Sequence, residues 1–138
     1  MQLSDFFFKD KAEVGTRMPI MLPDGTDSGE WLNIIDPEAD AAVKASRAFV
    51  FAYRAATAEL EPLRKKCEAS GDFAEYNISV ADAALELNRA LACELVNAWS
   101  FTEPFNRENL QKLLEQYGAL ANQVADAHAA RRKELEAK

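Results

Sequence analysis

The spacing of apolar residues changes period once along this chain, at Asp36-Pro37, and that change restricts it to folds combining strands with helices. From Arg17 to Ile35 the apolar residues alternate. Met18, Ile20 and Leu22 fall on one face of a strand, and Trp31, Asn33 and Ile35 alternate with Leu32 and Ile34 on a second. Successive side chains of a strand point to opposite faces, so this alternation marks half-buried strands. Between them Leu22-Pro23-Asp24-Gly25-Thr26 carries turn chemistry: Pro sets φ, Asp tolerates the left-handed region and Gly accepts positive φ. The segment predicts a β-hairpin. Pro19 cannot donate a ladder hydrogen bond, so its strand belongs at an edge. Two strands alone are marginal in water and must pack on something else.

From Pro37 onward the spacing is helical. Asp36 suits an N-cap and Pro37 the first helical position, with Glu38 and Asp40 near the positive end of the helix dipole. Ala42, Val43, Phe49, Val50, Tyr53, Ala56, Leu60 and Leu63 form one stripe, weakened at Ser46, and Ser70-Gly71-Asp72 ends it. An unbroken helix over 37–69 would be roughly 50 Å long, whereas a compact chain of this size is about 37 Å across. A kink at Pro62, which removes the bond to Ala58, resolves the conflict. A further helix is predicted from Ser79-Val80-Ala81-Asp82, a capping-box-like start. It is apolar on two sides, with Val80, Ala84, Leu87, Leu91, Leu95 and Ala98 on one and Leu85, Ala92, Val96 and Trp99 on the other, which marks it as the central helix. Asn106 caps the next helix, whose face carries Leu110, Leu113, Leu114 and Tyr117. Gly118 interrupts the chain before a last Ala-rich helix with Leu120, Val124, Ala127 and Arg131, whose charged end is expected to fray. The predicted architecture is α+β, mainly α. A single domain spans 1–138, with an N-terminal arm and β-hairpin (1–36) packed with a bundle of about four helices (37–138).

Charge narrows the partners. The formal net charge of −7 disfavours broad binding to nucleic acid or to an anionic membrane face. Residues 1–40 hold nine acids against three bases and carry −6, while the remainder, with fourteen acids and thirteen bases, carries −1. The basic triplets Arg64-Lys65-Lys66 and Arg131-Arg132-Lys133 fan around their helix axes and suit solvated helix ends. No apolar run approaches the ~18 residues of a membrane span. The opening Met1-Gln2-Leu3-Ser4-Asp5 has no basic stretch of a secretory signal. Cys67 and Cys93 match no disulfide framework or zinc spacing and read as partly buried thiols in a reducing cytoplasm.

Catalytic equipment is scarce. His128 is the sole histidine and has no helical metal-ligand partner, so a structural role outweighs a catalytic one. There is no nucleophile elbow, phosphate loop or dinucleotide fingerprint. The acidic stretch Asp24-Gly25-Thr26-Asp27-Ser28-Gly29-Glu30 resembles the start of a calcium loop, but Ile35 falls where a bidentate Glu is needed, and a plain hairpin loop is the better account. No catalytic, metal or cofactor residue is expected, and the chain is not expected to be an enzyme.

Aromatic residues are the remaining candidates. Phe6, Phe7 and Phe8 form a triplet in a charged arm ahead of the regular structure. The residues favour core for at least two of these rings, with a docking patch as the sharper alternative. Trp99, Phe101 and Phe105 crowd one helix end and its loop, where core closure competes with partner contact. These six residues are the candidate partner-binding set.

Leu95-Val96-Asn97-Ala98-Trp99, then Phe105-Asn106-Arg107-Glu108-Asn109-Leu110-Gln111-Lys112-Leu113-Leu114, continuing through Tyr117, Leu120, Gln123 and Val124, resembles the tail assembly chaperones of long-tailed bacteriophages. Those proteins show a helix ending in Trp, a short loop, a Phe before a capped helix with a Leu-Leu pair, then a Tyr and a final helix. The likeness is sharp over residues 91–124 and looser over the hairpin, the Asp36-Pro37 start and the long Ala/Arg-rich helix. The resemblance implies a factor in the host cytoplasm, absent from the mature virion, that keeps the tape measure protein soluble while tail tube protein subunits are recruited. It also implies a short product of a gene with a programmed frameshift. Possible self-association through the second apolar side of the central helix accompanies that reading. The alternative from another class is a head–tail connector or minor tail protein retained in the virion.

Overall fold

The computed structural model describes residues 1–136. A 3-10 turn (Leu3–Phe6) leads into helix α1 (Phe8–Val14), then strands β1 (Thr16–Met21) and β2 (Asp27–Ile34). Helices α2 (Asp40–Glu59), α3 (Glu61–Ser70) and α4 (Ala74–Leu95) follow, then strand β3 (Val96–Trp99) and helices α5 (Arg107–Gln116) and α6 (Leu120–Glu136). The fold is α+β and mainly helical. The expected fraying of the charged C-terminal end falls partly on residues 137 and 138, outside the described residues.

The hairpin forms where its turn chemistry lies. Gly25 has φ +88°, its N–H donates to the Leu22 carbonyl at 2.8 Å, and Leu22 N–H donates to Thr26 O at 2.8 Å. The Asp24 carboxylate accepts from the Thr26 hydroxyl (2.6 Å) and the Thr26 backbone N–H (3.0 Å). These bonds hold its pKa below the usual carboxylate value. Strand β2 already begins at Asp27, so Ser28, Gly29 and Glu30 belong to the sheet and not to the expected loop. β1 is an edge strand, as Pro19 requires, and its register shifts between Pro19 and Met21. Side chains complete the edge there. Gln123 accepts from Met21 N–H and donates to Met21 O, both at 3.1 Å, and the Tyr117 hydroxyl donates to the same carbonyl. One amide on α6 thus satisfies both backbone polar groups of Met21 on an edge strand.

The third strand is a departure from expectation. Val96 and Trp99, placed by their spacing on the second stripe of the central helix, leave it at Leu95 and pair with β2 as β3, with Leu32 opposite Trp99 and Asn33 opposite Ala98. Ile35 N–H donates to Leu95 O at 3.0 Å, so the end of α4 is stitched to the end of β2. The hairpin finds its packing partner about sixty residues away, in a segment whose Val and Trp suit a strand as well as a helix. Asn33 Nδ2 bonds Asn97 Oδ1 at 2.7 Å across this pair.

Helix boundaries differ in three further places. α2 starts at Asp40, not Pro37. Asp36 is committed elsewhere: its N–H bonds Ala12 O, and its carboxylate accepts from the Thr16 hydroxyl at 3.2 Å and pairs with Arg131 at 3.5 Å. The kink expected at Pro62 is a full break at Leu60, with Pro62 in the first turn of α3, where its missing N–H goes unmissed. α4 begins at Ala74, one turn before Ser79, because Asp72 Oδ1 accepts from Ala74 N–H at 2.9 Å. The Asn106 cap is as expected, its side chain accepting from Asn109 N–H at 2.8 Å.

The core joins the sheet to one end of the helical layer. Leu32, Leu95, Leu110, Leu114, Leu120 and Val124 are its largest fully buried side chains. On α2 burial stops at Ala45, and on α4 it is confined to Ala92 and Leu95. Between Ala45 and Ala92 only Cys67 is buried among the described residues. Residues 46–91 therefore form a helical arm whose apolar stripe is half-buried, with Val50 exposed.

Candidate functional site

The Phe triplet lies on the surface, contrary to the expectation that at least two rings join the core. Phe6, Phe7 and Phe8 are 54%, 47% and 55% exposed. Phe6 and Phe8 meet edge to face at 6.2 Å, and Lys11 lies over the Phe8 ring at 5.7 Å. The arm carrying them is tied down behind them, at Ala12, which is buried and whose carbonyl accepts from Asp36 N–H. Asn33 donates to Val14 O at 2.8 Å and Asn97 donates to Glu13 O at 3.3 Å. The rings thus project from an anchored base. Phe6 ends the 3-10 turn, Phe7 lies between the two elements and Phe8 opens α1, so the three rings do not share one face of a single helix.

Trp99, Phe101 and Phe105 do something different. Both Phe rings stand perpendicular to the indole, at 5.3 and 5.2 Å, and Trp99 Nε1 donates to Glu103 O at 2.9 Å. Trp99 and Phe101 pack against the core, and a cavity of about 230 Å³ lies between them and Leu113. This cluster closes the end of the sheet, with Trp99 and Phe101 half-buried and Phe105 the most exposed of the three rings. Ring contacts run within each set; among the described residues none joins the two.

A third apolar surface escaped the sequence reading. Val50 is 46% and Phe51 69% exposed on the middle of α2. With Val43 they line a groove of about 510 Å³ whose rim carries Arg47, Arg54 and Arg132. Phe51 was the available signal, because it lies off the apolar stripe that α2 shows its neighbours.

Among the described residues no group of three or more His, Cys, Asp or Glu is placed to hold a metal ion, and no helix is long and apolar enough to cross a membrane. Both cysteines are free. Burial raises the Cys93 thiol pKa, the reverse of what an activated nucleophile needs. His128 is buried on α6, its Nε2 3.3 Å from both Arg132 and the Ser46 hydroxyl, while Nδ1 has no partner among the described residues. Arg132 can only donate, so Nε2 accepts and the ring is neutral. Burial, then the Arg132 charge, push the imidazole pKa below its ordinary 6.5, against a smaller opposing pull from Asp36. A depressed histidine contributes stability above the unfolded value and loses it as pH falls. The melting temperature should therefore decline as pH drops from about 6.5 towards about 5.5, before most carboxylates titrate. His128→Gln should flatten that limb; an unchanged slope would assign it to other groups.

A family model described as phage tail assembly chaperone matches residues 38–137. No curated protein and no solved structure matches the chain.

Proposed function

The chain belongs to the phage tail assembly chaperones, and we propose that it holds the tape measure protein and tail tube subunits soluble during tail assembly through reversible apolar contacts. The observation that carries this reading is the aromatic surface held away from the core, above all Phe6, Phe7 and Phe8 on their anchored arm. Exposed aromatic clusters are a liability for a protein that has no use for them. Weak contacts repeated along an elongated client give adequate coverage without one tight site, and they release when tube subunits displace them. The net charge of −7 keeps such complexes dispersed. On this reading the protein works in the host cytoplasm and is left out of the finished particle.

Co-expression with the tape measure protein of the same phage tests this directly. The soluble yield of that protein should rise several-fold, and an unchanged yield sinks the proposal. Phe6→Ser/Phe7→Ser/Phe8→Ser should abolish most of the rise while shifting stability by less than about 1 kcal/mol, since the rings are surface residues. Mass spectrometry of purified virions should lack the chain; its presence at fixed copy number would favour a connector.

A further inference from the structure

We infer that the groove along α2 formed by Val43, Val50 and Phe51 is a docking site for an amphipathic helix whose apolar face is flanked by carboxylates. The assignment rests on the client-holding reading above and specifies the chemistry of one client segment.

Residues 43, 47, 50, 51 and 54 recur at the spacing of a single helical face, so Val43, Arg47, Val50, Phe51 and Arg54 form one continuous stripe. At 1.5 Å per residue the stripe is about 16 Å long, room for roughly three turns of a partner helix. Its centre is apolar and open to solvent.

The rim selects the partner. The chain has 23 acids against 16 bases, yet the groove lining contains three arginines and no carboxylate. Arg64 is neutralised by Glu61 and Glu68, Arg107 by Glu94, and Arg131 by Asp36 and Glu134, while outside the groove Arg17 stacks on the Trp31 ring. Arg47, Arg54 and Arg132 make no ion pair among the described residues; Arg132 instead donates to the Ser46 hydroxyl at 3.1 Å. Three unpaired guanidinium groups around exposed Val and Phe disfavour a basic or like-charged segment and favour one bringing carboxylates. Arg47 and Arg54 are seven residues apart on one side of α2, about 10 Å along its axis. A helix lying along the groove meets both when it carries Glu or Asp two turns apart beside its apolar stripe.

The probe is a synthetic helix of about 18 residues with a Leu/Phe face and Glu at two flanking positions two turns apart. A control carries Lys at those positions, and fluorescence anisotropy with the full chain reads binding. The Glu peptide should bind at least about tenfold tighter than the Lys peptide, with the preference shrinking at high salt. Arg47→Glu/Arg54→Glu should reverse the preference, and Val50→Ser/Phe51→Ser should weaken both peptides at least about tenfold. All four side chains are exposed, so circular dichroism should stay at wild type. Equal binding of the two peptides, or insensitivity to the arginine reversals, overturns the inference. So does sedimentation showing an oligomer that Val50→Ser/Phe51→Ser converts to monomer, because a second copy then covers the groove. If peptide preference holds and co-expression leaves the tape measure protein insoluble, the client reading fails while the groove assignment stands.

Discussion

Gly15→Ala should destabilise the fold by about 3 kcal/mol or more, a drop in melting temperature of at least ~10 °C for a chain of this length. Gly15 joins α1 to β1 with φ +77° and ψ −168°, a region that L side chains rarely enter. A Cβ there would lie 2.3 Å from Ile34 O and 2.9 Å from Asn33 Nδ2. The first contact is with backbone that pairs Ile34 to Thr16, so relief requires the sheet to open at its first rung. Gly25→Ala is the control. Gly25 also has positive φ, +88°, but a Cβ there meets nothing within 4 Å, so only conformational strain of about 1 kcal/mol is expected. Urea unfolding of the two variants separates clash from strain, and equal midpoints would refute the close approach at Gly15.

Leu95→Ala should cost about 2–5 kcal/mol. Leu95 is fully buried where α4 hands over to β3, and its carbonyl accepts from Ile35 N–H. Truncation leaves a cavity between sheet and helices that the surrounding ladder cannot collapse to fill. At the other end of the same helix Ile78 is 62% exposed, and Ile78→Ala should be nearly neutral, within about 0.5 kcal/mol. The contrast tests the uneven distribution of the core, with burial concentrated in the last turn of α4. Similar losses at both sites would mean that the helical arm is packed against something in solution.

Features that depend on near neighbours in the chain were legible. The Asp24-Gly25 turn, the edge position of the Pro19 strand, the Asn106 cap and the stop at Gly71 each express a short-range stereochemical demand. Leu110 and Leu114, one turn apart, announced their common buried face and are buried. The resemblance carried by the Trp99-to-Val124 stretch led to the family that the comparison shows, although Trp99 itself proved to end a strand and not a helix.

Less was legible in the candidate surfaces. A Phe in the core and a Phe on the surface are the same letter, so the triplet at 6–8 pointed to aromatic contact without saying with what. The apolar stripe of α2 includes Val50 and omits Phe51, because a helical wheel shows which residues share a face but not where the neighbouring helices stop covering it. The three arginines that give that groove its character come from α2 and from α6, about eighty residues apart, and no local pattern joins them.

By itself, then, the order of residues determined the hairpin, the helical tract, the punctuation between helices and the mainly helical α+β class, since turn stereochemistry, capping and hydropathy period act within a few residues. Only the tertiary structure decided that Val96–Trp99 would be a strand, that α2 would begin at Asp40 and that three Phe rings would remain in water. Those outcomes hang on hydrogen bonds and packing between distant segments, such as Ile35 to Leu95 and Asp36 to Ala12. Such long-range bonds override local preference wherever two conformations of a short segment lie close in free energy.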